Sequence, residues 1–435
     1  MSCAVYLRKS ATDFVEVFGR VLNMKREQSQ DVNAQVYGII NQLVQSGDDA
    51  LFALTEKFDG VVLTRETVRF SRDEIDAAEA ACDPEALEAL DFAAKRIADF
   101  HQRQKPEDNE FVDAEGVTLG HRWTPVDAAG LYVPGGTANY PSSVLMNAIP
   151  AKVAGVQRLV MSVPTPNNAI NPLVLAAAKR AGVDEIYRIG GAQAIAAMAY
   201  GTQSITPVNV IVGPGNAYVA AAKKQVFGVV GIDMIAGPSE ILVVSDRNND
   251  PSWIAADLLS QAEHDRVAQS ILICDDASFA TSVEQAIESH LTSLSRSEIA
   301  RESWENFGVI IVVDDLAKDA PEIINALAPE HLELAVEDPQ SLAAEVRHAG
   351  AIFMGRYTPE AVGDYVAGPN HVLPTARAAR YASGLSVLNF MKRTSIVSCD
   401  AAALASIGPA ALKLAEVEGL DAHARSISIR LNMNE

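Results

Sequence analysis

The chain of 435 residues carries a formal net charge of -21 and is 49 % hydrophobic, an ordinary soluble composition too long for one simple core, so two or more domains are expected. The acidic excess argues against nucleic acid as a partner, because phosphate binding needs a positive footprint, and no apolar run approaches the roughly 18 residues of a membrane helix. The N-terminus, with Arg8, Lys9 and Asp13, has no apolar signal core, so a cytoplasmic location is expected, and the scattered Cys3, Cys82, Cys274 and Cys399 disfavour both a cysteine zinc site and a disulfide framework.

Residues 1–110 read as mostly helical. Ser71 and Glu74 make a capping box ahead of IDAAEAA. Asp83 and Pro84 open another helix, in which Leu87, Leu90, Ile97 and Phe100 recur at helical spacing. Residues 104–110 read as a polar connector. From about 130 the texture changes. Strand-like runs at 158–164, 184–191 and 208–215 precede Ala-rich helices at 172–182, 192–201 and 216–228. A second set has strands at 240–246, 269–276 and 308–315, with helices at 251–264 and from about 279. This βαβα rhythm predicts an α/β fold of two Rossmann-like, doubly wound parallel sheets. Beyond 331 the pattern is shorter-paced. A helix is expected at about 402–418, and the alternating end of DAHARSISIRL predicts a strand.

There is no G-x-G-x-x-G fingerprint. The strand-to-helix junctions instead read VPGGTANYPSS, IGGAQA and VGPGNAY. Glycines there let the backbone approach a ligand, and the helix start beyond offers N–H groups to an anion. Any one of these reads equally well as an ordinary tight turn; three on one sheet edge point to a ligand crevice. Of the eight histidines, His101 and His121 lie in polar stretches and are expected at the surface, while His290 and His348 fit structural roles on amphipathic helices. The other four stand in unusual contexts. His264 follows Gln261 by three residues on a predicted helix, a pair that is more often structural than ligating. His331 follows Glu330, His371 lies seven residues after Asp364, and His423 lies five after Glu418. A mixed N/O set of this kind suits zinc, but its spacing is no local signature.

Taken together, VPGGTANYPSSVLMNAIPAKVAGV, GGAQAIAAMAYGT, VGPGNAYVAAAK, DMIAGPSEILVVSD, DLLSQAEHD, APEHLEL, GDYVAGPNHVLPT and EGLDAHARSISIRL, in this order from about 120 to the C-terminus, resemble the histidinol dehydrogenase family. The resemblance implies zinc on Gln261, His264, Asp364 and His423, with Glu330 and His331 as the catalytic pair. It implies substrate contacts at Ser239, His371 and Glu418, shared with His331 and the four metal ligands, and NAD contacts at Tyr132, Gln193 and Asn216. Residues 132–239 would form the nucleotide-binding domain, and about 25–131 with 240–330 the first Rossmann-like domain. Residues 1–24 and 331–435 would be tail segments serving a homodimer whose active site is shared. Thr137 stands where many relatives carry Lys, and no change of activity is attached to it.

The implied reaction is a pair of NAD-dependent oxidations, L-histidinol through L-histidinal to L-histidine, the last step of histidine biosynthesis. An imidazole of ordinary pKa suits His331 as the base for the alcohol step. No cysteine lies in a motif, so the aldehyde step is expected through a hydrate, with Glu330 as its base. Three alternatives stay open. The same fold could oxidise another small alcohol, such as a sulfonated diol, although Glu418 and His371 favour an imidazole-bearing substrate. Zinc and Glu330 could instead serve a hydrolase without NAD, or the chain could be a non-catalytic nucleotide-binding module.

Overall fold

The computed structural model describes residues 3–24, 30–135, 140–235 and 237–432. Its strands are, in chain order, β1 (Val5–Arg8), β2 (Asn109–Val112), β3 (Thr118–Pro125), β4 (Ala128–Tyr132), β5 (Arg158–Ser162), β6 (Glu185–Tyr187), β7 (Val210–Val212), β8 (Gly231–Ile232), β9 (Glu240–Ser245), β10 (Gln269–Cys274), β11 (Val309–Val312), β12 (His331–Ala335), β13 (Ala351–Met354) and β14 (Met391–Ser398). Two sheets are wholly parallel, as the alternating pattern predicts. One runs β1-β11-β10-β9-β12-β13 and the other β6-β5-β4-β7-β8. Every residue of β4, β9, β10 and β12 is buried, because helices cover both faces of such sheets.

Packing distributes the chain differently from the division expected above. β1 pairs with β11, and β12 and β13 extend the same sheet, so parts of both expected tails are sheet. The first helix, Phe14–Val21, packs on the six-stranded sheet with Leu242 and Val244, whereas the helices Gln30–Ser46 and Pro84–Gln102 cover the five-stranded sheet. Val36, Ile40 and Leu43 share a core with Ile195, Met198 and Val219, and Leu90, Ala93 and Ile97 pack with Val144, Leu145 and Ala148. An amphipathic pattern declares that a helix has an apolar face, not which sheet that face will cover. A third sheet, antiparallel β14-β3-β2, is not signalled in the sequence.

Local signals fare better. Ser71 Oγ accepts from Glu74 N at 3.2 Å while Glu74 Oε2 accepts from Ser71 N at 2.8 Å, closing the capping box. Asp83 caps the helix Pro84–Gln102. His101 is buried, not at the surface: its Nδ1 lies 2.8 Å from Ile97 O, one helical turn back. Residues 421–428 form the helix Asp421–Ser428 where a strand was expected. Ile427 of that helix and Leu431, whose N–H donates to Ile427 O at 3.2 Å in the turn beyond it, both pack at Gly408 of the helix Ala401–Val417. Among the described residues no helix is long and apolar enough to cross a membrane.

Strand order prepares two places for chemistry. β9 and β12 are neighbours, so their amino ends, Glu240 and His331, meet. In the other sheet the chain leaves β4 towards β5 and β6, then returns to β7 on the opposite side of β4. Parallel α/β sheets bind ligands in the crevice outside such a reversal, here at the carboxyl ends of β4 and β7.

Candidate active site

Local sequence delivers Glu330 and His331 to the start of β12. The helix Leu316–Leu327 ends at Ala328 in the left-handed conformation (φ 45°, ψ 61°), and Pro329 cannot continue it. Both acid–base candidates are buried, 5 % and 4 % exposed. Both are tied to one residue of the neighbouring strand. Glu330 Oε2 accepts from Glu240 N at 2.9 Å, and His331 Nδ1 donates to Glu240 O at 2.9 Å. The carbonyl partner assigns a proton to Nδ1 and leaves Nε2, which has no hydrogen-bond partner among the described residues, as the working nitrogen. Ser239 immediately precedes this tether, its carbonyl accepting from Gln269 N at 3.0 Å.

Other segments close on His331. The helix Glu360–Tyr365 places Glu360 and Asp364 one turn apart. Glu360 Oε1 lies 3.5 Å from His331 Nδ1, and Asp364 Oδ1 lies 3.9 Å from His331 Nε2. His371 bonds the Asp364 carbonyl through Nδ1 at 3.0 Å and meets Ser143 Oγ through Nε2 at 3.2 Å. Ser143 belongs to the helix Pro141–Ala154 of the five-stranded unit. At the end of the helix Pro251–Ala262, the buried Gln261 lies 3.2 Å from His264, Nε2 to Nδ1. Arg296 holds this turn through the carbonyls of Glu263 and His264 at 2.9 and 3.3 Å. Ser143 and Glu240 lie within quoted motifs but were given no role there, and Glu360 belongs to no motif singled out in the sequence. The one available signal was the Glu360–Asp364 spacing behind Pro359.

Burial pushes the Glu330 carboxyl up to about 8 against the pull of His331, and pushes Glu360 up to about 7. Burial also opposes charge on His331, but Glu360, Glu330 and Asp364 outweigh it and raise the imidazole to about 9. The ordinary imidazole value expected for His331 therefore does not hold. Burial lowers His264 and His371 despite the nearby Asp364. Two residues further along β12, burial beside Asp257 lifts Glu333 to about 10. A dry pocket so rich in carboxyl groups favours a cation.

The donor set fits a metal ion. Gln261 Oε1, His331 Nε2 and Glu360 Oε1 are buried without a hydrogen-bond partner among the described residues, and imidazole, amide and carboxylate ligands suit a zinc-like ion. Ligand atoms of His331, Glu360 and Asp364 lie within 4.8 Å of one another. That triad shares only Asp364 with the expected ligand set; Gln261 and His264 adjoin it. His423 and Glu418 do not join the cluster. Both are exposed, His423 on the helix Asp421–Ser428 and Glu418 at the end of the helix Ala401–Val417.

The expected nucleotide contacts lie at carboxyl ends of the parallel strands. Tyr132 ends β4, and its hydroxyl accepts from Gly191 N at 3.1 Å; burial pushes it up to about 12. Gln193 is buried in the first turn of the helix Gly191–Tyr200. Asn216 caps the helix Ala217–Val226, accepting from Tyr218 N and Val219 N. Thr137 and the rest of 136–139 lie outside the described residues.

The family model described as histidinol dehydrogenase matches residues 22–431. The histidinol dehydrogenase of Rhodospirillum rubrum is 64 % identical over 426 residues, covering 98 % of this chain and 98 % of that protein. The one from Agrobacterium fabrum is 61 % identical over 429 residues, 99 % of each chain. Among solved structures, histidinol dehydrogenase from Elizabethkingia anophelis superposes with a TM-score of 0.93 at 37 % identity, covering 99 % of this chain and 98 % of that one.

Proposed function

The chain belongs to the histidinol dehydrogenase family, and from that premise we propose that Glu330 and His331 carry the proton chemistry of its reaction, with NAD as oxidant and a zinc ion as template. The family activity, and this chain's, is the two-step oxidation of L-histidinol through L-histidinal to L-histidine. The observation that carries the residue assignment is the double tether on Glu240, which fixes both side chains and leaves His331 Nε2 facing Asp364.

A zinc ion among the carboxylates around His331 would offset the charges that raise this imidazole to about 9 without the metal, and in the alcohol step His331, then neutral, takes the hydroxyl proton at Nε2. In the aldehyde step, Glu330 removes a proton from water as it adds to the carbonyl carbon, and protonated His331 returns its proton to the carbonyl oxygen to give the hydrate; His331, neutral again, then takes a hydroxyl proton from that hydrate as the second hydride leaves. When bound, NAD would supply the hydride acceptor for each oxidation, and zinc would supply a positively charged template that orients the substrate. Gln261, His264 and Asp364 would hold the zinc. Ser239 and His371 would contact the substrate, and Tyr132, Gln193 and Asn216 the dinucleotide.

The remaining ligand comes from a second copy. The C-terminal helices expose Leu414, Val417, Leu420 and Ile429, an apolar surface suited to a subunit contact. A homodimer would cover it and bring the partner subunit's His423 and the partner subunit's Glu418 to this site. Two measurements test the reading. Two NADH should form per histidinol consumed; a yield of one, with histidinal accumulating, would refute the double oxidation. Mixing Glu330→Gln and His423→Ala subunits should restore activity through one intact shared site; no recovery in a proven mixed dimer overturns the sharing.

A further inference from the structure

Lys223 of the helix Ala217–Val226 and Asp233, the residue after β8, form an ion pair with side chains 3 % and 0 % exposed. Both close on a single residue. Asp233 Oδ2 accepts from Gly213 N at 2.8 Å, and Lys223 Nζ donates to Gly213 O at 2.9 Å. Asp233 Oδ1 also accepts from Met234 N at 2.6 Å. Gly213 is the first residue beyond β7, at φ +111°, and a Cβ there would fall 2.2 Å from Tyr132 O. The ion pair thus grips the backbone where the exits of β4 and β7 touch, at the point where the sheet reverses.

Desolvation offsets most of what such a pair contributes to stability, so fixing geometry is the better account of it. Without the pair, the buried N–H and C=O of Gly213 would lose their charged partners. We infer that Lys223 and Asp233 are cofactor-positioning residues: they preform the turn 213–216 so that Asn216 and the start of the helix behind it meet the dinucleotide without rearrangement. This inference rests on reading the crevice as the NAD site.

The test compares the zinc-loaded wild type with K223M/D233L, which removes both charges and leaves neither buried alone. NADH binding is titrated by fluorescence without histidinol, and KM is measured for NAD and for histidinol. The double variant should bind NADH about tenfold more weakly and show a similar rise in KM for NAD, as for one lost charge-assisted bond. KM for histidinol and zinc content should stay unchanged, a split that a merely structural pair would not produce. A double variant that binds NADH like the wild type overturns the inference alone, whereas a wild type that binds no NADH overturns the cofactor reading and the inference with it. Hydrogen exchange in the wild type does not depend on a variant folding. The 208–216 peptide should be protected before NADH is added, and protection appearing only with NADH overturns preformation.

Discussion

His331 and Asp364 stand 3.9 Å apart, Nε2 to Oδ1, without a hydrogen bond between them. Beside them, buried Gln261 Oε1 and Glu360 Oε1 have no hydrogen-bond partner among the described residues. This is the geometry of groups arranged around something other than each other. Asp364→Ala should therefore reduce zinc retention by at least about tenfold, which is what loss of even an outer partner costs. Metal content after dialysis against a weak chelator is the measure. Full zinc occupancy in the variant would remove Asp364 from the ligand set.

Glu330 and His331 share the tether on Glu240, and the proposed mechanism gives them different tasks. Glu330→Gln keeps the shape and can still accept from Glu240 N through its amide oxygen, but it cannot remove a proton from water. Oxidation of histidinal should fall by about 10² or more, while oxidation of histidinol to the aldehyde changes little. Single-turnover NADH formation from each substrate separates the two. Equal loss in both half-reactions would assign Glu330 to a step they share.

The titrations predict a stability profile for zinc-free protein. Glu330, Glu360 and Glu333 are raised to about 8, 7 and 10, so above about pH 4.5 the native state holds protons that the unfolded chain has released. His331, raised to about 9, contributes stability that is complete below about pH 6.5 and is lost as the pH rises through 9. All four act in the same direction: the native state binds more protons, so stability falls with rising pH. The thermal midpoint of chelated protein should be lower at pH 9 than at pH 6, and saturating zinc should flatten the difference by supplying the positive charge. A midpoint that climbs over this range would contradict the protonation states described above.

Ala376 adopts φ 52° on an exposed turn and donates its N–H to Glu240 Oε1 at 2.9 Å. Left-handed backbone costs a residue with a Cβ about 1–2 kcal/mol, and the entropy glycine adds to the unfolded chain returns part of it. Ala376→Gly should stabilise the protein by about 0.5 kcal/mol, whereas Ala376→Val should destabilise it by about 1–2 kcal/mol. Urea unfolding midpoints at constant slope check both signs. The opposite order would mean that this turn relaxes without strain.

The sequence by itself determined what depends on neighbouring residues. The Ser71 box, the Asp83 cap and the apolar strand runs are local, because caps and periodic faces act within a few residues. Glycines after β4, β6 and β7 marked the sheet edge that carries the crevice for the same reason. Motif resemblance named Gln261, His264, Glu330, His331, Asp364 and His371, but their spacing along the chain did not bring them together. Only tertiary structure decided that the helices Gln30–Ser46 and Pro84–Gln102 cover the five-stranded sheet, that β14 joins β3, and that Glu360 lies beside His331. It also decided that Lys223 and Asp233 meet at Gly213. Those outcomes come from surfaces far apart in the chain becoming buried against each other, and no local backbone preference specifies which surfaces will meet.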